Sequence, residues 1–219
     1  MPLYKQDKNA GTILPLTKML NHMKQYRNFC RLMMRQVDTH GYNVSQEPLP
    51  PGKPSVGISA AIYLAGLIQS FMQKLIHDMS QPNRHNRHRI KCADIEECID
   101  HLVPPEIATL LKHSYLKNAV DFWVFAGQDD NVQNYARRIA HMCRIEKDVT
   151  KFTLRADSKQ YLNWILNMML FIHVQKAHHY TYNNKTRLES KHIQKAGEEI
   201  FHKRFSLGAI DTHHEFAKG

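Results

Sequence analysis

Two long apolar segments, each followed by a basic turn and a short helical segment, constrain the fold of this chain more than any other feature. The first keeps helical spacing of apolar residues from Leu64 to Met79, and the second runs from Ser158 to about His179. The two segments repeat at an offset of 98 residues, since Tyr63-Leu64 recurs as Tyr161-Leu162. Such a repeat predicts two structurally similar halves. The further matches are Arg89-Ile90 with Arg187-Leu188 and Ile95 with Ile193.

Shorter helices are predicted around the long ones in both halves. Pro104-Pro105 begin an additional helix in the first half, because proline is tolerated in a first helical turn. Ser59 and Ser190 are predicted to be the N-caps of a long and a short helix. Since no stretch shows strand-type alternation, the chain is predicted to be all-α. The buried face of each half's first helix is formed by Tyr26, Phe29, Cys30, Met33 and Val37, and by Tyr135, Ile139, Met142 and Cys143.

The net positive charge of the chain indicates the class of partner that it binds. Thirty Lys and Arg against twenty Asp and Glu give a net charge of +10 over 219 residues. Residues 1–127 and residues 128–219 each carry fifteen basic and ten acidic side chains. This balance favours a polyanion, with nucleic acid ahead of an anionic membrane surface. A membrane partner is not expected, because the longest apolar stretch, Tyr161 to Val174, is interrupted by polar residues and is too short to span a bilayer.

The sequence contains no pattern typical of catalysis. Neither a glycine-rich phosphate loop nor a nucleophile–base arrangement occurs, so we do not expect an enzyme. His85, His88 and Cys92 cluster in one turn, but no fourth ligand follows at the spacing of a zinc site. The four cysteines show neither paired nor zinc-finger spacing. We therefore expect neither a metal ion nor a cofactor.

The order of helix, loop, long helix, loop and short helix, with basic residues at both loops, resembles the histone fold. The first half is similar to histone 2B, through Arg87-His-Arg-Ile-Lys91 in its second loop and Pro104-Pro-Glu-Ile107 at the additional helix. The second half is similar to histone 2A, through Asn184-Lys-Thr-Arg187 and the following Lys191-His-Ile-Gln194. Together the match covers about residues 20–200. The order of the two types in one chain resembles the fused histone doublets of large DNA viruses of the marseillevirus group.

The resemblance implies two histone folds whose long helices cross in an intramolecular handshake and form a pseudo-dimer. It divides the chain into a short N-terminal tail (1–20), a histone 2B-like fold with its C-terminal helix (21–127), a histone 2A-like fold (128–200) and a short C-terminal tail (201–219). The polar segment 126–131 has the composition of a linker. Joining the partners through a short linker gives an effective concentration in about the millimolar range, which removes a bimolecular assembly step.

Antiparallel crossing of the long helices would set the first loop of each half beside the second loop of the other. These two loop contacts would each form a basic site, and the converging N-termini of the two first helices would form a third. The three sites are predicted to bind the phosphates of bent duplex DNA without reading the bases. The first site contains Arg155 with Arg87, Arg89 and Lys91, the second Lys53 with Lys185, Thr186 and Arg187, and the third Lys24, Arg27, Arg138 and Arg144.

The function implied by the resemblance is to bind and wrap duplex DNA without sequence specificity, as part of a nucleosome-like particle that packages viral DNA. The expected partners are duplex DNA, a histone 3–histone 4-type doublet or pair, and further copies of this chain. The expected location is the chromatin of a virion or viral factory, with the host nucleus as an alternative. Two other functions fit part of the sequence. A histone-fold interaction module of the transcription machinery would bind DNA weakly, and a module for anionic membranes or RNA accounts only for the charge.

Two departures from the histone pattern bear on partners. The first loop of the 2B-like half has an insertion from about Tyr42 to Ser55. The stretch from Asn167 to Gln175 lacks the carboxylates that form the acidic patch of histone 2A, although Glu198-Glu199 and Glu106 keep part of that charge. We therefore expect altered contacts with proteins that dock an arginine on that patch.

Overall fold

The computed structural model describes residues 12–39, 55–81, 89–117, 135–150, 152–181 and 187–201. Within these ranges the chain forms seven α-helices and two strands of two residues each, so the all-α prediction is confirmed and two short strands are added to it. The predicted linker lies outside the described residues. The elements are α1 (Leu16–Thr39), α2 (Ile58–Ser80), β1 (Arg89–Ile90), α3 (Cys92–Leu102), α4 (Pro105–Lys117), α5 (Ala136–Thr150), β2 (Thr153–Leu154), α6 (Ala156–His179) and α7 (Ser190–Ile200).

The internal repeat of the sequence is also a repeat of structure. The long helices α2 and α6 begin at Ile58 and Ala156, and the short helices α3 and α7 begin at Cys92 and Ser190. Both pairs are therefore offset by the same 98 residues that separate the matching sequence patterns. The repeat unit is a long helix, a loop and a short helix.

The loops pair in a way that sets the two long helices antiparallel. β1, which follows α2, pairs in parallel with β2, which precedes α6, and Arg89 lies opposite Thr153. Val56, which precedes α2, pairs in parallel with Leu188, which follows α6. Each pairing thus joins the segment that precedes one long helix to the segment that follows the other long helix. The two pairings are equivalent under the 98-residue offset.

The core is built around α6, which is buried on nearly every side. Fifteen of its 24 residues are buried, including Trp164, Met168 and Met169. Each of the other six described helices contacts α6. Since these helices come from both halves of the chain, the two halves share one core.

The first helix begins earlier than the sequence predicted. α1 starts at Leu16, so the last residues of the expected N-terminal tail belong to the folded part of the chain. Leu14, Leu16 and Met19 are buried in the core. Burial of these apolar side chains holds the segment in place, and they precede the helical pattern that begins at Tyr26.

The N-caps of α2 and α7 also differ from the prediction. Gly57 and Glu189 are the N-cap residues, while Ser59 and Ser190 lie inside the helices. The Glu189 N–H donates to Nδ1 of His192 at 3.0 Å. The pairing beside these caps requires extended backbone up to residues 57 and 189, and this sets where each helix starts.

A histidine lies in the centre of the shared core. His173 on α6 is fully buried, and its Nδ1–H donates to the Met169 carbonyl at 2.6 Å. Its ring packs against Phe201 with 5.2 Å between the ring centroids. Burial lowers the pKa of His173 to about 4, although the hydrogen bond to Met169 offsets part of this effect.

We expect the protein to lose stability as the pH falls from about 6.5 to about 4. In this window the unfolded chain protonates His173 while the folded chain keeps it neutral, so the free energy of unfolding decreases by up to about 3 kcal/mol. Above this window the contribution is constant. Urea unfolding over a pH series measures the slope, which His173→Leu should reduce. His101→Gln, on the exposed side of α3, serves as the control, and an unreduced slope in His173→Leu would contradict the assignment.

Candidate nucleic-acid interface

The first loop pair, formed by β1 and β2, brings three basic residues together. Arg89 lies opposite Thr153, and Arg155 is the N-cap residue of α6 just beyond the pairing. Arg89, Lys91 and Arg155 are exposed, whereas Ile90 between them is buried, as expected for alternating strand residues. The predicted proximity of Arg155 to this segment is therefore observed. Arg87 lies outside the described residues.

A hydroxyl group holds the first loop pair from the inside. Ser158 Oγ donates to the Ile90 carbonyl at 3.0 Å, and the Ser158 side chain is fully buried. On the outside, Arg155 Nε lies 3.4 Å from Asp157 Oδ1, with both side chains about half exposed. An exposed ion pair of this kind is weak, so the Arg155 guanidinium can exchange the carboxylate for another anion.

The second loop pair, formed by Ser55 to Gly57 and Arg187 to Glu189, is the equivalent of the first. The Leu188 N–H donates to the Ser55 carbonyl at 3.0 Å, and the Gly57 N–H donates to the Leu188 carbonyl at 2.7 Å. Arg187 is exposed, and its Nε lies 3.5 Å from the point that a Cβ on Gly57 would occupy. The Arg187 side chain therefore runs along the bare backbone of Gly57. The other predicted residues, Lys53, Lys185 and Thr186, lie outside the described residues.

Arg27 is the predicted DNA-binding residue whose placement the structure corrects. Its side chain is only 5% exposed, because α1 packs it into the junction between the end of α6 and the start of α2. Nη1 donates to the Ser55 carbonyl, and Nη2 donates to Oγ1 of Thr181 at 3.3 Å. Thr181 Oγ1 in turn donates to the His178 carbonyl at 2.8 Å. The guanidinium thus faces the interior rather than the surface.

The third predicted site lies where α1 approaches the start of α5. The Tyr135 hydroxyl lies 3.2 Å from Nδ1 of His22, and the two rings meet edge to face. Asn163 Oδ1 accepts the Tyr135 N–H at 2.7 Å and so anchors the start of α5 to α6. Burial raises the pKa of Tyr135, so its hydroxyl stays protonated. Among the residues predicted for this site, Lys24, Arg138 and Arg144 are exposed.

The two loop pairs lie far apart on the molecule. They stand at opposite ends of the antiparallel helices α2 and α6, which have 23 and 24 residues. At 1.5 Å per residue each helix is about 35 Å long. One turn of duplex DNA is about 34 Å, so a duplex that touches both loop pairs is contacted at points one turn or more apart.

Sequence reasoning did not identify the residues that hold the loop pairs. Ser55 and Thr181 lie 28 and 154 residues from Arg27, and Ser158 lies 68 residues from Ile90. No local pattern marks these residues, because their partners are adjacent only after the halves have packed together.

The zinc hypothesis gains no support from the part of the chain that the structure describes. There, no group of three or more His, Cys, Asp or Glu side chains is arranged to hold a metal ion. Burial raises the pKa of the Cys92 thiol, which disfavours the thiolate form that zinc binds. His85 and His88 lie outside the described residues.

We expect Gly57→Ala to loosen the second loop pair. A Cβ at this position would lie 3.1 Å from the Leu188 carbonyl oxygen, so the two backbones must separate by a few tenths of an ångström. Hydrogen–deuterium exchange at the amides of residue 57 and Leu188 should become faster, while exchange at Ile90 stays the same. Arg155→Ala, at the equivalent position of the first loop pair, is the matched control. Unchanged exchange in Gly57→Ala would show that this close approach is not a constraint.

Comparison with known proteins adds no family assignment. No protein-family model matches the chain, and no curated protein matches it. None of the helices in the described ranges has the length and hydropathy needed to cross a membrane. The inference of function therefore depends on the repeat, the paired loops and the exposed basic residues.

Proposed function

We propose that this chain is a histone doublet that binds and wraps duplex DNA without sequence specificity. The observation that carries the proposal is the placement of Arg89 and Arg187. These two arginines are exposed, occupy equivalent positions of the repeat, and lie beside the N-termini of α6 and α2. In this proposal α1 to α4 form a histone 2B-like fold, α5 to α7 form a histone 2A-like fold, and α2 crosses α6 in the handshake.

The chemistry of each loop pair suits a phosphate of the DNA backbone. A guanidinium can bind phosphate through two parallel hydrogen bonds. Arg89 and Arg187 are both exposed, so each places a guanidinium at the surface. The N-terminus of a long helix beside each arginine adds backbone N–H donors and the positive end of the helix dipole. In this proposal these donors bind phosphate oxygens of the backbone and not base edges, so binding has no sequence preference.

The size of the chain supports a particle with several components. Loop pairs about 35 Å apart cover a few turns of duplex at most. A nucleosome wraps about 147 base pairs. The proposal therefore includes a histone 3–histone 4-type partner and further copies of this chain, with packaging of viral DNA as the biological role.

We expect DNA binding to weaken steeply with salt. For about 6–10 phosphate contacts the logarithm of affinity should fall against the logarithm of salt concentration with a slope of roughly −5 to −9. Fluorescence anisotropy with duplexes of several sequences measures it. Arg89→Ala with Arg187→Ala should weaken binding similarly for all sequences, whereas Lys74→Ala, which is exposed on α2 and belongs to neither loop pair, serves as the control. A slope shallower than about −2, or strongly sequence-dependent loss, would contradict the proposal.

We also expect a discrete protected DNA fragment when the chain is reconstituted with a histone 3–histone 4-type partner. Salt dialysis onto long duplex DNA, with and without the partner, followed by nuclease digestion, makes the measurement. The protected length gives the amount of DNA wrapped. Uniform digestion in both samples would instead favour a protein-binding histone-fold module of the transcription machinery.

A further inference from the structure

The two loop pairs are held from the inside by different side chains. In the first, the Ser158 hydroxyl donates to the Ile90 carbonyl at 3.0 Å. The residue at the equivalent position of the second loop pair is Ala60, 98 residues earlier, which has no hydroxyl to donate. There the donor is the Arg27 guanidinium, which reaches the Ser55 carbonyl from α1. The two loop pairs therefore have the same backbone pairing, but a serine hydroxyl supports the first and an arginine guanidinium supports the second.

Arg27 links the chain just after the end of α6 to the segment that pairs beside Arg187. On one side Nη2 donates to Oγ1 of Thr181, which follows the end of α6. On the other side Nη1 donates to the Ser55 carbonyl, and this same oxygen accepts the N–H of Leu188 at 3.0 Å. A single guanidinium thus joins the Thr181 side chain to the Ser55 carbonyl, which pairs with Leu188, the residue next to Arg187.

The bridge from Ser55 to Thr181 depends on position 27 being an arginine and not a lysine. The guanidinium is planar and carries five donors, so it can bridge two acceptors that lie in different directions. A lysine ammonium keeps the charge but is a point donor on a flexible stem. Arg27 is 5% exposed, so its hydrogen bonds are shielded from competing water.

We propose that Arg27 is a positioning residue for DNA binding, which acts through Arg187 without contacting DNA itself. It holds Ser55 and Thr181 in place, and so keeps the Arg187 side chain along Gly57 at the surface. Ser158 plays the corresponding part for Arg89. This inference rests on the proposed function, because it assumes that Arg89 and Arg187 bind phosphate.

Double-mutant cycles test the proposal, with duplex DNA binding measured by fluorescence anisotropy at about 0.1 M salt. In the unmodified chain Arg187→Ala and Arg89→Ala should each lower the affinity several-fold, up to about eightfold for the loss of one phosphate contact. With Thr181→Val or Arg27→Lys in the background, Arg187→Ala should cost less than about twofold, while the cost of Arg89→Ala stays the same. With Ser158→Ala in the background the pattern should reverse.

This crossed pattern separates positioning from general stabilisation. A residue that only stabilises the fold would change the costs of Arg187→Ala and Arg89→Ala equally, and that result would overturn the proposal. Unchanged costs in every background would overturn it too. Because Thr181→Val removes one acceptor and leaves Arg27 in place, it keeps the test decisive if Arg27→Lys fails to fold. If the unmodified chain does not bind duplex DNA, the proposed function itself fails, and this outcome is distinct from equal costs in a chain that binds.

Discussion

The fold depends on covering α6, a helix that is buried on nearly every side. With fifteen of its 24 residues buried, α6 cannot be shielded by one neighbouring helix. All six of the other described helices contact it, and they come from both halves of the chain. Burial of apolar surface contributes roughly 25 cal/mol per Å², so leaving one side of α6 in water would be costly. Neither half therefore completes a core without the other.

The antiparallel arrangement of α2 and α6 then determines what reaches the surface at the helix ends. It brings the extended segment before each long helix beside the segment after the other, where their backbone groups must find partners. Parallel pairing of the two segments satisfies these backbone groups, and it makes successive side chains point to opposite sides. Ile90 and Leu188 turn inward and are buried, and the preceding residues, Arg89 and Arg187, turn outward. The same hydrogen bonds that close the core thus expose one arginine at each end.

The two ends share this geometry but differ in their supporting chemistry. A neutral hydroxyl, that of Ser158, holds one loop pair, whereas the buried guanidinium of Arg27 holds the other. A duplicated fold in a single chain can diverge in this way, because each half is encoded separately and substitutions in one half leave the other unchanged. The repeat therefore explains the positions of the exposed arginines, and the differences between halves explain how each is held.

The helices follow from the sequence by itself, because they depend on apolar spacing over one or two helical turns. The division into two similar halves also follows from the sequence, because the pattern repeats at an offset of 98 residues. The same offset predicted the equivalence of Arg89 and Arg187, because matching residues of a repeat occupy matching positions of the fold. Tertiary structure decided the strand pairings, the helix starts after Gly57 and Glu189, and the inward position of Arg27. These features depend on partners far away in the chain: Arg27 looks like a surface residue in its helical pattern, and only packing brings Thr181, 154 residues distant, within reach of its guanidinium.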